Sequence, residues 1–275
     1  MNTDSNASIL NFAHRGARSV APENTMAAFA AGWKAGAPWF ELDVAASSDG
    51  VLVVMHDDTL TRTTDARTVY PDRAPWTVYD FTFAELKRLD AGSWFAAADP
   101  FKTVASGLVG KDDLARFGGE PVPALREALE FCRDKGLRVN VEIKDATGRA
   151  CDPWIVERTV DLIRELRMEE RTLISSFNHD YLRRVRKTGA AIELGALVEE
   201  VPPGIVGLLR ELGARSLNPG LKGLRPETVR EVRGAGFDVF VWTVNEAADM
   251  RRMVEAGATG IITDFPARFV DLFGT

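Results

Sequence analysis

What is scarce limits the reading first. Only two cysteines occur in the 275 residues, Cys132 and Cys151, in no metal-ligand spacing. They exclude a disulfide framework and a cysteine zinc site, and read as buried or incidental thiols in a reducing compartment. No run approaches the roughly 18 apolar residues of a membrane span, so stable membrane insertion is not expected. The opening MNTDSNASIL lacks the basic segment and long apolar run of a signal peptide, and a cytoplasmic location is expected. Basic residues are not in excess, since 34 Lys and Arg stand against 40 Asp and Glu for a net charge of −6. That balance excludes broad nucleic-acid binding, although a local cluster of Arg, Lys and metal can still hold an anion. A G-x-G-x-x-G opening a helix is also missing, which removes the dinucleotide fingerprint. With 45% hydrophobic and 27% charged residues, the chain is otherwise an ordinary soluble one able to bury a core.

What is present is a rhythm. Short β-type runs alternate with amphipathic helical ones, most regularly from residue 124 onward. LREALEFCRDKG reads as a helix stopped by glycine, and RVNVEIK follows as a strand. Gly136, Gly189, Gly213, Gly236 and Gly257 stand at similar joints and suit helix C-terminal caps. Pro226 suits a first helical position and Asn245 an N-cap. Leu10, Phe40, Val139, Leu173, Ile192, Arg215, Val239 and Ile261 mark eight βα units. Eight such units predict a (β/α)8 TIM barrel rather than an open doubly wound sheet, in a single domain over 1–275.

Residues 57 to about 123 break the rhythm, holding no clean βα unit. A structureless loop of that length is improbable inside a compact domain. Trp76, Phe81, Phe83, Trp94, Phe95 and Phe101 could form a small satellite core, and Thr82 with Glu85 fits a capping box. An inserted subdomain over one end of the barrel is expected.

Strand alternation then sorts the charged residues. In FELDV, Glu41 and Asp43 share a face, and in RVNVEIK so do Asn140, Glu142 and Lys144. The outer face of a barrel strand must be apolar to pack its helix, so these side chains point inward, toward the end where barrel enzymes keep their sites. Three converging buried carboxylates are costly unless paired or bound to a cation. Pairing of Glu142 with Lys144 alone is the plain structural alternative. A hard divalent cation, Mg²⁺ or Ca²⁺, accounts for the cluster better, since no zinc-type ligand pattern is near.

Of the three histidines, His14 ends the first strand in FAHRG and His56 ends VLVVMHD. Asp49–Gly50 signals a hairpin between FELDVAASS and VLVVMHD, which sets residue 43 roughly opposite residue 56. Two histidines at strand ends beside acidic strands suggest an acid–base pair, whereas His179 at a helix start reads as structural. Arg15 and Lys144 add positive charge at the same mouth. With a divalent cation and the three carboxylates, one net positive charge remains, which a singly charged phosphodiester would neutralise. Sulfate esters and carboxylates satisfy the same arithmetic.

AHRGARSVAPENTMAAF, FELDV followed by SSDGVLVVMHDDTLTRTT, GGEPVPALREAL, VNVEIK, VFVWTVN and GIITDFP together resemble the glycerophosphodiester phosphodiesterase family, in order over most of the chain. The resemblance implies a TIM barrel with an inserted subdomain, hydrolysing small glycerophosphodiesters to glycerol 3-phosphate and an alcohol. It implies Glu41, Asp43 and Glu142 as metal ligands, His14 and His56 as acid and base, and Arg15 and Lys144 as phosphate contacts. Trp242 would be an apolar wall for the glycerol side or simple core. Asn24 and Thr25 would start the first helix and brace the site, and Asp264 would be structural. A lysophospholipase D or sphingomyelinase D activity would use the same residues. A non-catalytic phosphate-binding barrel would be expected to have lost a histidine or acid, and none is lost here.

Overall fold

The computed structural model describes residues 9–274. Strands β1 (Leu10–His14), β2 (Trp39–Ala46), β3 (Leu52–Val54), β4 (Arg138–Ile143), β5 (Thr172–Ser176), β6 (Glu193–Val198), β7 (Ser216–Pro219), β8 (Asp238–Val241) and β9 (Gly260–Thr263) form one sheet. β3 pairs antiparallel with β2, and the other pairings are parallel. Because β1 bonds to both β9 and β2, the sheet closes on itself. The eight parallel strands make a TIM barrel, as expected.

Helix α1 (Met26–Lys34) follows β1. After β3 come α2 (Ala66–Val69), α3 (Phe83–Leu86), α4 (Trp94–Ala98) and α5 (Lys111–Phe117), and then α6 (Leu125–Asp134). α7 (Ile155–Glu165), α8 (His179–Lys187), α9 (Ile205–Leu212), α10 (Pro226–Gly234), α11 (Ala247–Glu255) and α12 (Pro266–Phe273) each follow one strand from β4 to β9. Their buried stripes and the outward residues of the strands, such as Phe40, Leu42, Val139 and Val141, form the main core. Pro226 opens α10, and the five expected glycines end their helices.

Local expectations fail where tertiary contacts compete. β6 and β7 start one residue after Ile192 and Arg215. Arg215 instead turns its guanidinium onto Glu193 and Asp238 at the barrel's lower rim. Asn245 does not cap α11; Glu246 holds that position, and the Asn245 amide is drawn to Asp264. The first helix begins at Met26 rather than Asn24, because the Thr25 hydroxyl accepts the Ala28 N–H and caps it there. The hairpin forms, but its register sets Val44 against Val54, so Asp43 faces Met55 and His56 lies one residue further on. The cause is a three-residue loop ending in Gly50 at φ +84, where a two-residue turn would give a different offset.

Residues 57–123 hold α2 to α5 and no parallel strand. Thr82 and Glu85 make the expected reciprocal capping box. The aromatics divide between two clusters rather than forming one. Phe81 packs with Leu60, Leu86 and Val53 over the β2–β3 hairpin, and Phe95 packs with Phe117, Ala21 and Ala28 against α1. Phe101 joins neither and meets Phe265 edge-on at 5.4 Å.

Inside the barrel, alternation sorts the residues by depth. Phe12, Trp39, Leu173, Phe240 and Ile262 fill the floor, with Phe12 ring centroids 4.8 Å from Trp39 and 4.9 Å from Phe240. Such aromatic pairs add about 0.5–1.5 kcal/mol each beyond their burial. Gly260 makes room for them: a Cβ there would lie 2.6 Å from Phe240 and 2.8 Å from Phe12. One or two positions along the same inward faces, the polar residues begin.

Candidate active site

His14 is the last residue of β1, two positions above Phe12 on the inward face. The chain then turns sharply through Arg15 at φ +54 and Gly16 at φ +80. A Cβ on Gly16 would meet the Ala28 backbone at 2.6 Å, so the tight HRG turn requires glycine. The turn aims the Arg15 N–H at Glu41, whose Oε2 accepts it at 3.0 Å.

Glu41 and Asp43 face inward from β2 and Glu142 from β4, with Asp43 directly beside Glu142 in the register. One carboxylate oxygen from each comes within 4.8 Å of the others. Arg15 Nε stands 3.2 Å from Asp43 Oδ2, and Lys144 Nζ stands 2.7 Å from Glu142 and 3.6 Å from Asp43. Asn24, held at φ +56, donates its amide to Asp43 Oδ2 at 2.8 Å. The pairing of Glu142 with Lys144 is therefore real, but two cations do not balance three acids.

The titration behaviour follows from that imbalance. Burial pushes Glu41 well above its ordinary range, and repulsion from Asp43 and Glu142 adds to it. Burial and the Asp43 charge likewise raise Glu142, against the pull of Lys144. Burial would raise Asp43 too, but Arg15, Lys144 and His56 together hold it far below the usual range. Glu41 Oε1 and Asp43 Oδ1 are buried acceptors without a hydrogen-bond partner. Such groups cost about 1–3 kcal/mol each when left unsatisfied. Three oxygen donors, two of them with orphaned atoms, and unspent negative charge fit a hard divalent cation.

Each histidine is backed by an aspartate. His14 Nδ1 lies 2.7 Å from Asp264 Oδ1, and His56 Nδ1 lies 2.5 Å from Asp57 Oδ1. Asp264 is kept below its usual range, because the charges of His14 and Arg18 and the bonds from His14 and Asn245 outweigh burial. An ionised acceptor there makes His14 Nδ1 the donor and leaves Nε2 for the cavity. Burial and the Arg15 charge lower the His14 pKa below 6.5, more than Asp264 raises it.

These groups share one cavity of about 370 Å³. Its β1, β2 and β4 side carries both histidines, Arg15, Lys144, Glu41 and Glu142, with Asp43 buried beneath. Across the mouth, Phe177, Leu197 and Trp242 supply an apolar wall, Phe177 meeting Trp242 edge-on at 5.6 Å. The Trp242 indole N–H donates to Asn218 O at 2.8 Å, which fixes the ring. All eight residues picked from the sequence therefore converge. His179 stands apart, its Nε2 against Leu197 O at 3.0 Å.

Residues behind the site were missed. Asp57 adjoins His56 in the sequence, and that adjacency was the available signal. Asp264, expected to be structural rather than catalytic, stands behind His14 and holds its Nδ1. Glu23 in PENT, together with Arg18 and Arg62, had no periodic signal and meets the site only through folding.

A closed barrel whose mouth joins three acids, two aspartate-backed histidines and an Arg–Lys pair has the make-up of a barrel enzyme acting on an anionic substrate. Comparison with known proteins narrows the class. The model of the glycerophosphoryl diester phosphodiesterase family matches residues 14–268, and the chain belongs to that family. It is 39% identical over 96% of its length to a glycerophosphodiester phosphodiesterase from Caldanaerobacter subterraneus subsp. tengcongensis, covering 97% of that protein. It resembles the Oleispira antarctica phosphodiesterase solved with the product sn-glycerol-3-phosphate, with a TM-score of 0.83, 27% identity and 98% of each chain covered. A glycerophosphodiester phosphodiesterase from Agrobacterium tumefaciens superposes with a TM-score of 0.73 at 28% identity, over 96% of this chain and 99% of that one. Among the described residues, no helix is long and apolar enough to cross a membrane.

Proposed function

We propose that the chain hydrolyses small glycerophosphodiesters to glycerol 3-phosphate and an alcohol, with His14 and His56 as base and acid and a Mg²⁺ or Ca²⁺ ion on Glu41, Asp43 and Glu142. The observation that carries this reading is the single cavity in which both aspartate-backed histidines face the unbalanced carboxylates. The product bound in the Oleispira structure supports the substrate class.

Bound at the three carboxylates, a divalent cation supplies Lewis-acid polarisation of the phosphoryl oxygens. The protein's own groups do the rest. Arg15 and Lys144 reach the phosphoryl oxygens and oppose charge that grows in the transition state. His14, with Nδ1 held by Asp264 and Nε2 toward the cavity, removes the proton of the nucleophile, and His56 protonates the leaving alkoxide. The nucleophile is either water or the glycerol 2-hydroxyl, and in the second case water then opens the cyclic phosphate. Each transfer contributes about 10²–10⁴-fold. The Phe177, Leu197 and Trp242 wall packs the glycerol carbons and excludes water from that side. Residues 57–123 serve as an inserted subdomain covering the mouth next to His56.

The test is turnover of glycerophosphocholine and related soluble diesters by His14→Ala and His56→Ala, with folding checked by circular dichroism. Both variants should be nearly inactive, and near-parent rates in both would overturn the assignment. Activity should also disappear in EDTA and return with Mg²⁺ or Ca²⁺. Running lysolipids beside the soluble diesters separates this reading from a lysophospholipase D, and a cavity of about 370 Å³ favours the smaller substrate.

A further inference from the structure

Behind the two histidine–aspartate pairs the contacts run to one buried residue. On the His56 side, Arg62 Nε donates to Asp57 Oδ2 at 2.5 Å, while its Nη1 and Nη2 donate to Glu23 at 3.0 and 2.7 Å. On the His14 side, Arg18 Nη1 stands 3.6 Å from Asp264 Oδ1 and its Nη2 stands 2.9 Å from Glu23 Oε2. A third guanidinium, Arg15, donates to Glu23 Oε1 at 2.8 Å. Glu23 lies in the loop between β1 and α1 and is 4% exposed. It thus joins three segments that meet only at the barrel mouth: the end of β9, the turn after β1 and the stretch after β3.

From this geometry we propose that Glu23 is a positioning residue shared by both halves of the acid–base pair, fixing Asp264 through Arg18 and Asp57 through Arg62. This rests on the reading of His14 and His56 given above. The residue type follows from the contacts. A carboxylate is acceptor-only, with about four lone-pair directions, and Glu23 meets four guanidinium N–H groups. Arg18 and Arg62 tie Glu23 to Asp264 and Asp57, while Arg15, which also faces Asp43, is shared with the carboxylate cluster. Glutamine keeps the shape but turns an amide N–H₂ toward a guanidinium, which breaks at least one link. Either aspartate can then rotate, and with it the imidazole whose Nδ1 it holds. A small misplacement of a reacting group is enough to lower the rate strongly.

The test compares kcat and KM for a soluble glycerophosphodiester in Glu23→Gln, Asp57→Asn, Asp264→Asn, the double aspartate variant and the triple variant, with melting temperatures alongside. Glu23→Gln should lower kcat at least tenfold at a temperature where it is fully folded. Adding Glu23→Gln to the double aspartate variant should cost less than threefold more, because the residue acts through those aspartates. A kcat within twofold of the parent, a loss confined to KM, or a fully multiplicative triple variant would each overturn the proposal. Arg62→Gln carries the same test should Glu23→Gln not fold, since the Arg62 side chain is 41% exposed and tolerates replacement. Its kcat should also fall, and an unchanged kcat overturns the link to His56. His14→Ala and His56→Ala belong in the series: if they remain active the acid–base reading fails, and if only Glu23→Gln remains active this inference fails alone.

Discussion

Adding Mg²⁺ or Ca²⁺ to the chelated protein should release protons, and the amount should depend on pH. The carboxylate oxygens of Glu41, Asp43 and Glu142 lie within 4.8 Å of one another. At an effective dielectric constant of about 20, two charges that far apart repel by about 3.5 kcal/mol. Asp43 keeps its charge because Arg15 and Lys144 both face it at 3.2 and 3.6 Å. Glu41 and Glu142 carry the cost, and burial with mutual repulsion raises both above the ordinary 4.5. A cation needs all three ionised, so its binding must expel whatever protons they hold. Affinity should fall as pH falls, by up to about tenfold per pH unit for each proton displaced. Titration calorimetry at pH 5 to 8 in two buffers of different ionisation enthalpy measures the proton count directly. The release should be largest at the acid end and shrink as pH rises. Heats independent of buffer, with a pH-independent affinity, would refute the argument.

The same shifts fix the sign of the metal-free stability. Glutamates whose folded pKa is raised bind more protons in the folded state, so their contribution is favourable below the folded value and is lost as pH rises through it. The chelated protein should therefore lose part of its stability on going from pH 5 to 8, and the cation should restore it.

Three further outcomes can be checked. Arg15→Lys should cost at least tenfold in kcat/KM, because an ammonium cannot meet Asp43 and Glu23 from one planar fork and still present an N–H to phosphate; steady-state kinetics showing less than a threefold loss would contradict this. Gly16→Ala, at φ +80 with its Cβ 2.6 Å from the Ala28 backbone, should destabilise the fold by about 2 kcal/mol or more in urea unfolding, and unchanged stability would remove the strain argument. For Glu23, burial is outweighed by Arg62, Arg15 and Arg18, which bring its pKa from 4.5 to about 2. That depression contributes about 3 kcal/mol above pH 4.5, lost as pH falls through about 2. Glu23→Gln should lack that part of the acid dependence, and parallel pH–stability curves for variant and parent would count against it.

The sequence showed the barrel and the first ring of the site for one shared reason: strand alternation is strict. FELDV and VNVEIK could place Glu41, Asp43 and Glu142 inward only if Phe40, Leu42, Val139 and Val141 packed the helices outside, and they do. The hairpin was legible as a hairpin but not in register, because an Asp–Gly signal fits loops of two or three residues alike. One residue of offset still left His56 at the mouth, since it sits beyond the paired stretch, free of the pleat. Asn245 shows the opposite failure. Its position before α11 satisfies every local rule for a cap, but its Oδ1 accepts the Asp264 N–H and the Thr263 hydroxyl instead, while its Nδ2 donates to the Asp264 carboxylate.

What escaped the sequence was the scaffolding behind the histidines, and the reason is distance along the chain. His14 and Asp264 are 250 positions apart, and Arg62 and Glu23 are 39 apart in segments with no common periodicity. Such pairs leave no pattern in a single sequence, because any Asp or Arg of similar reach would read the same. They are nonetheless what the site requires. Three inward carboxylates make the mouth repel itself, and Arg15 must be held among them while still facing the cavity. Glu23 supplies that restraint from the far side of the guanidinium, and by also holding Arg18 and Arg62 it links both histidine–aspartate pairs to the same anchor. The arrangement separates two duties that a smaller site would have to combine: the carboxylates of β2 and β4 stay short of partners, ready for a cation, while the aspartates that orient the histidines are held through Arg18 and Arg62, with Arg15 shared between the two groups.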